Sequence, residues 1–351
     1  MSKPTVLVLF GGRSPEHEVS LVSARSVISN IPREQFCIVT VGITKKGVWY
    51  LTEAEADAIA DGSWERSPQN RRAALSPVYR EGLLVFGENG VFTMPVDVVF
   101  PVLHGENGED GTIQGLFALS GIPFVGPGVR ASADCMDKIT AKRLLAEAGI
   151  PVADGEPLLL HQYRANPAAM VERIERRLGY PVFIKPSGAG SSVGISKVKR
   201  REELLAALDL AFRYDSRALA EEAVVGREVE VAVLGTAADP LASTCGEIVP
   251  ANEFYDYEAK YIRDSELHVP ARISEEKAAK VREYACRAFA TLDCHGMSRV
   301  DFFVCEDRIL LNEVNTIPGF TPISMYPRLF AHDGIPYPEL LKRLITLALE
   351  R

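Results

Sequence analysis

In the run SRVDFFVCEDRILLNEVN, Arg299 and Asp301 stand two residues apart, as do Glu313 and Asn315 beyond a short polar turn. Both halves alternate apolar and polar residues, which predicts a hairpin, and residues two apart in a strand share a face. A three-residue turn at 306–308 sets Asp301 opposite Glu313, whereas a two-residue turn reverses the facing. The first register is the expectation here. It places two carboxylates, an amide oxygen and a guanidinium on one surface. Such a set suits Mg2+ bridging phosphates, with a cation beside developing negative charge. The same residues also fit an exposed strand face with a cross-strand salt bridge, although Asn315 runs straight into TIPGFTPIS, which argues against a plain edge.

The segment IKPSGAGSSVG joins Lys185, at a strand end, to a loop of glycines and hydroxyls. Successive backbone N–H groups there can point at a phosphate beside the ammonium. A mobile loop between two strands fits the composition equally well. Lys138, in the first turn of its helix, reads by itself as a solvated lysine, and Glu16 as an acid complementing a helix dipole. GGRSPE is not G-x-G-x-x-G, and no G-x-x-x-x-G-K-[ST] occurs, so neither common nucleotide fingerprint is present. EFYDYEAKY, ending in Lys260 and Tyr261, has the composition of a surface loop, a core plug or a water-excluding lid. The six histidines show no metal spacing, and only His104, in HGENGEDG, lies in a glycine-rich loop at a strand end. No Ser/His/Asp order or thiol–imidazole pair can be argued.

These residues need elements to hold them. Residues 5–10, a Gly-Gly turn and apolar residues at helical spacing over 19–31 make a β-turn-α opening. Further strands are expected at 36–43 and 96–103, with 44–80 as a polar, irregular insertion. Helices are expected over MDKITAKRLLAEAGIPV, 167–178, 202–214 and 274–292. The helix at 202–214 should bury Leu204, Leu205, Leu208 and Phe212. Strands follow at 181–185, 195–198 and 218–222, and EVEVAVLG alternates Glu228 and Glu230 against Val229, Val231 and Val233 as a half-buried strand. The boundaries fall near 126 and 225, giving units 1–126, 127–225 and 226–351.

At 351 residues the chain has room for two or three domains and a cleft between them. With 47% hydrophobic and 25% charged residues it is neither disordered nor fibrous, and a net charge of −8 speaks against a nucleic-acid or anionic-membrane surface. The six scattered cysteines read as small reduced core residues. No signal peptide or stretch long enough to span a bilayer is evident, so the expected compartment is the cytoplasm.

Taken together, GGRSPEHEVS, HGENGEDGTIQG, MDK, IKPSGAGSSVG, FYDYEAKY, SRVDFF and LNEVNTIPGFT stand in the order and spacing of D-alanine:D-alanine ligases of the ATP-grasp superfamily, over residues 5–345. The resemblance implies an α/β (α+β ATP-grasp) fold, with a Rossmann-like N-terminal domain followed by two α+β domains that clasp ATP. It implies ligation of two D-alanines through an acyl phosphate, for peptidoglycan precursors. It further implies that Lys138 and Lys185 bind ATP phosphates, that Glu221 and Glu228 hold adenine and ribose, and that Glu222 and Val224 belong to the same ATP site. Asp301, Glu313 and Asn315 would ligate two Mg2+ or Mn2+ ions. Glu16 would anchor the ammonium of the first D-alanine, oriented through Ser191 and Tyr261, with His104 lining that subsite. Arg299 and the Gly319 N–H would form an oxyanion site. Lys260, Ser324 and the Met325 amide would engage the γ-phosphate or the second carboxylate. The sequence departs from the family at Gly188 and Ala189, where a bulkier pair is usual, and at Glu222, where Lys is common; only a backbone contact to adenine then carries over at Glu222. A homodimer is implied, and whether a monovalent cation assists is left open. Ligases that take D-lactate or D-serine second, or another carboxylate–amine pair, are the nearest alternatives, and Tyr261 favours the dipeptide. A nucleotide-binding regulator on an inactive scaffold should lack the metal ligands or the arginine, and here all four stand.

Overall fold

The computed structural model describes residues 3–190, 192–249 and 266–351, which form three sheets. The first region comprises β1 (Thr5–Gly11), α1 (His17–Asn30), β2 (Cys37–Ile43), β3 (Trp49–Thr52), α2 (Ala56–Ala60), β4 (Arg71–Leu75), β5 (Leu83–Gly87), β6 (Gly90–Met94) and β7 (Val98–Val102). Its strand order is β6-β5-β4-β3-β2-β1-β7, with β1 parallel to β2 and β7. Residues 44–80 are therefore no irregular insertion, because β3 and β4 extend the sheet. These strands have only four and five residues and bury little beyond Leu51, Ala73 and Leu75, too few to raise a period of two above their polar neighbours.

Three helices, α3 (Thr112–Ser120), α4 (Val129–Met136) and α5 (Lys138–Glu147), lead to the middle sheet. It is built from β8 (Gly155–Leu159), α6 (Leu160–Ala165), α7 (Pro167–Arg177), β9 (Val182–Pro186), β10 (Ser196–Val198), α8 (Leu204–Tyr214) and β11 (Arg217–Glu222), in antiparallel order β10-β9-β11-β8. Asn166 caps α7 by accepting from the Ala169 N–H, with Pro167 in the first turn. Met170 and Ile174 then pack on Leu158, Val182 and Ile184. Leu205 was expected inside but is 47% exposed. A helix turns 100° per residue, and the neighbouring Leu204 and Leu208 take the inward stripe.

The third sheet contains β12 (Arg227–Gly235), β13 (Pro240–Val249), β14 (Glu266–His268), then α9 (Glu275–Thr291), β15 (Gly296–Val304) and β16 (Ile309–Asn315), followed by α10 (Met325–His332) and α11 (Tyr337–Leu349). Its order is β14-β13-β12-β15-β16. One face packs Val229, Val231, Val300 and Phe302 on Val281, Ala285 and Phe289 of α9. The opposite face runs from Ala232, Leu234 and Met297, which join the core of the first sheet, to a row of charged residues. Leu340, Leu341, Leu344 and Ile345 of α11 are fully buried in that shared core with Val6, Val8 and Phe10. Each such side chain contributes about 1.5–3 kcal/mol, which fixes the first sheet against the third.

Cys135, Cys245, Cys294 and Cys305 are buried as expected, but Cys286 is half-buried and Cys37, at the start of β2, is exposed. Among the described residues no helix is long and apolar enough to cross a membrane.

Candidate active site

The hairpin of β15 and β16 carries the centre of the site. Arg299 pairs with Asn315 and Asp301 with Glu313, as the sequence predicts, but the route differs. Val304 pairs with Ile309, so the loop is four residues long, and Phe302 faces Leu311. An irregularity at Asn312 takes up the extra residue and restores the facing before Glu313.

Across the other edge of β15, Glu230 of β12 lies opposite Asp301. Expected on a half-buried strand, Glu230 is in fact only 5% exposed. The polar side of this alternation faces the site and not solvent. Arg299 holds the row together. Its Nε donates to Asp301 Oδ1 at 2.8 Å and its Nη2 to Oδ2 at 2.7 Å, while Nε lies 3.1 Å from Glu230 Oε2. Asn315 Nδ2 donates to Asp301 Oδ2 at 2.9 Å. Burial opposes the charge of Arg299, but Asp301, Glu230 and Glu313 together hold its pKa well above the ordinary value. Asp301, Glu230 and Glu313 gather hard oxygen donors around Arg299, the donor chemistry that fits a divalent cation. Among the described residues no three His, Cys, Asp or Glu side chains yet stand around one point.

The strand end at Lys185 is tied to α5. Asp137 caps α5 through the Thr140 N–H at 2.7 Å, and accepts from Ser187 Oγ at 2.9 Å and Arg217 Nη1 at 2.8 Å. Lys138 Nζ donates to the Ala189 carbonyl at 2.7 Å, and the Gly188 N–H to Asp215 at 2.8 Å. Both residues of the departing pair Gly188–Ala189 are thus held through their backbones. Lys185 pairs with one oxygen of the fully buried Glu221, and Lys142 with the other. Burial alone would raise the Glu221 pKa, but the two ammonium groups draw it down to about 2.

Glu16, at the start of α1, is buried against two glycines of other segments. A Cβ built on Gly105 would lie 2.5 Å from Glu16 Oε2, and one on Gly190 would lie 3.3 Å away. The Lys185 loop therefore closes onto Glu16, and Gly105, with a φ of 71° and this close approach, requires glycine. His104 is buried, with Nδ1 3.1 Å from the Ile317 carbonyl and Nε2 3.3 Å from Ser23 Oγ. Glu109 accepts from the Gly105 N–H at 2.8 Å and the Ile317 N–H at 3.2 Å. Burial, with Glu16 nearby, pushes its pKa up to about 8. Gly319 follows, packed against Ser324, the residue that precedes α10.

Glu228 lies on the same face of β12 as Glu230, and Met325 is the first residue of α10. Val224 sits in the link between β11 and β12. The Glu222 side chain accepts from the Asp154 N–H at 2.9 Å and from Arg308 Nη2 at 2.9 Å, so it serves the scaffold. Ser191, Lys260 and Tyr261 lie outside the described residues. Sequence reasoning missed Asp137, Lys142, Glu109 and the buried setting of Glu230. The only available signals were that Lys142 stands one helical turn after Lys138 and that Glu109 shares a glycine-rich loop with His104.

The family descriptions "D-ala D-ala ligase N-terminus" and "D-ala D-ala ligase C-terminus" match residues 5–127 and 144–346. The chain belongs to the D-alanine–D-alanine ligase family. The D-alanine–D-alanine ligase of Acetivibrio thermocellus is 50% identical over 365 residues, covering 99% of this chain and 96% of the relative. That of Clostridium novyi is 50% identical over 99% of both chains. Among solved structures, the VanG D-Ala:D-Ser ligase from Enterococcus faecalis superposes with a TM-score of 0.90 at 41% identity, covering 99% of this chain and all of that one. The D-alanine–D-alanine ligase from Coxiella burnetii gives 0.87 at 35%, covering 99% and 96%. These neighbours share the ATP-grasp fold with this ligase-family chain.

Proposed function

We propose that this enzyme joins two D-alanine molecules into D-alanyl-D-alanine, using ATP, for peptidoglycan precursors. The observation that carries this reading is the row Glu230, Asp301 and Glu313 crossed by Arg299, set in one site with Glu16 and the Lys185 loop. A carboxylate resists an amine because its leaving group is oxide, so an oxygen of the first D-alanine attacks the γ-phosphorus and ADP departs. Glu16 holds the ammonium of that substrate. The amine of the second D-alanine then attacks the acyl carbon and loses a proton, and phosphate leaves. Arg299 and the Gly319 N–H meet the tetrahedral oxyanion between these events. Lys138 and Lys185 neutralise ATP phosphates, Glu221, Val224, Glu228 and, through its backbone, Glu222 belong to the nucleotide site, and Ser324 and the Met325 amide face the second carboxylate. Asp301, Glu313 and Asn315 would hold Mg2+ or Mn2+, which supplies positive charge beside the transferring phosphoryl group. The division at 126 and 225, a homodimer and a cytoplasmic location belong to the same reading.

The test is ADP release with Mg-ATP and D-alanine alone, compared with L-alanine and with D-alanine plus D-serine or D-lactate, products identified by mass. D-alanyl-D-alanine from D-alanine alone is expected. A mixed product as the main species would move the assignment to the neighbouring D-Ala:D-Ser type, and no ADP from any mixture would overturn it. Glu16→Gln should raise KM for the first D-alanine about tenfold or more, as expected for a hydrogen bond between charged groups, with KM for ATP little changed. An unchanged D-alanine KM would remove Glu16 from that role.

A further inference from the structure

The oxyanion role above depends on where the Gly319 N–H points, and the segment 317–320 is held mainly by side chains from the opposite end of the sequence. Ile317 has both backbone groups engaged. Its N–H donates to Glu109 at 3.2 Å, and its carbonyl lies 3.1 Å from His104 Nδ1. A carbonyl can only accept, so Nδ1 carries the proton, and burial keeps the ring neutral by lowering its pKa against the pull of Glu16. Nε2 is then an acceptor and receives a hydrogen bond from the Ser23 hydroxyl, with Oγ at 3.3 Å. That leaves the Ser23 oxygen to accept from the Phe320 N–H at 3.4 Å. The chain of donors closes without conflict.

Phe320 is fixed further. Its carbonyl accepts from Tyr337 Oη at 2.8 Å, and its buried ring meets Phe100 at 5.9 Å and Tyr326 at 5.4 Å between centroids. Pro318 has no N–H to offer. Among the described residues no acceptor takes the N–H of Gly319, whose neighbours on both sides are bound.

We propose that Ser23, His104 and Glu109 form a positioning clamp that aims the Gly319 N–H at the reacting carbonyl. His104 then acts by holding Ile317 and not by lining the amino-acid subsite. The inference rests on the oxyanion reading of Gly319. It predicts a division between the two chemical steps, because the phosphoryl transfer that makes the acyl phosphate does not use this donor and the attack of the amine does.

The experiment uses the full-length enzyme with Ser23→Ala and, separately, the isosteric Glu109→Gln. Two rates are read: dipeptide synthesis, and positional isotope exchange in ATP labelled at the β–γ bridging oxygen with D-alanine present, which reports reversible phosphoryl transfer. A displacement of about 1 Å at a reacting group costs about 10²-fold, so synthesis is expected to fall about 10- to 100-fold in each variant. Isotope exchange and KM for D-alanine should stay near wild type, with each variant still folded at the assay temperature by thermal melting. Equal loss of both rates would make the segment a general scaffold and overturn the clamp, as would full synthesis in both variants. Arg299→Ala, measured alongside, separates the two ideas. Undiminished synthesis in that variant would sink the oxyanion reading and the aiming role with it, whatever the clamp variants do.

Discussion

Replacing Arg299 by alanine is expected to lower kcat for dipeptide synthesis by about 10²- to 10³-fold, the loss typical of one oxyanion donor. The guanidinium is bound between Asp301 and Glu230, with Glu313 opposite Asp301. The substitution also takes the guanidinium from Asp301 and Glu230, and taking one partner from a buried ionic group costs about 3–5 kcal/mol of stability. Arg299→Lys separates the two effects. It keeps a positive charge but loses the planar fork that reaches both oxygens of Asp301, so the fold should survive while kcat still falls at least about tenfold. Steady-state kinetics beside thermal melting would show this, and wild-type turnover in a stable Arg299→Lys protein would end the assignment.

Glu221→Gln should be strongly destabilising. Glu221 is 1% exposed and binds Lys142 on one oxygen and Lys185 on the other, so the neutral variant buries two ammonium groups without their counter-charge. The expected loss is about 3–5 kcal/mol near neutral pH, with a raised KM for ATP because Lys185 loses its support. The effect has a defined pH signature. The carboxyl titrates near 2 in the folded protein and near the ordinary 4.5 when unfolded, so its contribution is complete above about 4.5 and disappears as pH falls toward 2. Denaturant midpoints of wild type and variant should therefore converge between pH 4.5 and pH 2.5. A constant gap across that range would show that the ion triad is not the source of the difference.

The sequence made some of these features legible and hid others, for physical reasons. Alternation in EVEVAVLG marks β12, and two-residue spacing places Arg299 beside Asp301 on one strand face. The same alternation misrepresents Glu230, because a period of two says that two faces differ and not which one meets water. The short strands β3 and β4 lack enough apolar residues to stand out, although the sheet completes itself through them. Lys142 and Glu221 are 79 positions apart, and Glu109 and Ile317 are 208 apart, so no local pattern links either pair. The turn after β15 was expected to have three residues and has four, and only the irregularity at Asn312 preserves the facing of Asp301 and Glu313.

The unpaired Asn312 also decides what the length of the surface turn means for the site. In a regular ladder the four-residue tip would set Asp301 opposite Asn312 and turn Glu313 to the other face. With one unpaired residue between them, the surface turn and the charged row beneath it run in different phases of the same hairpin.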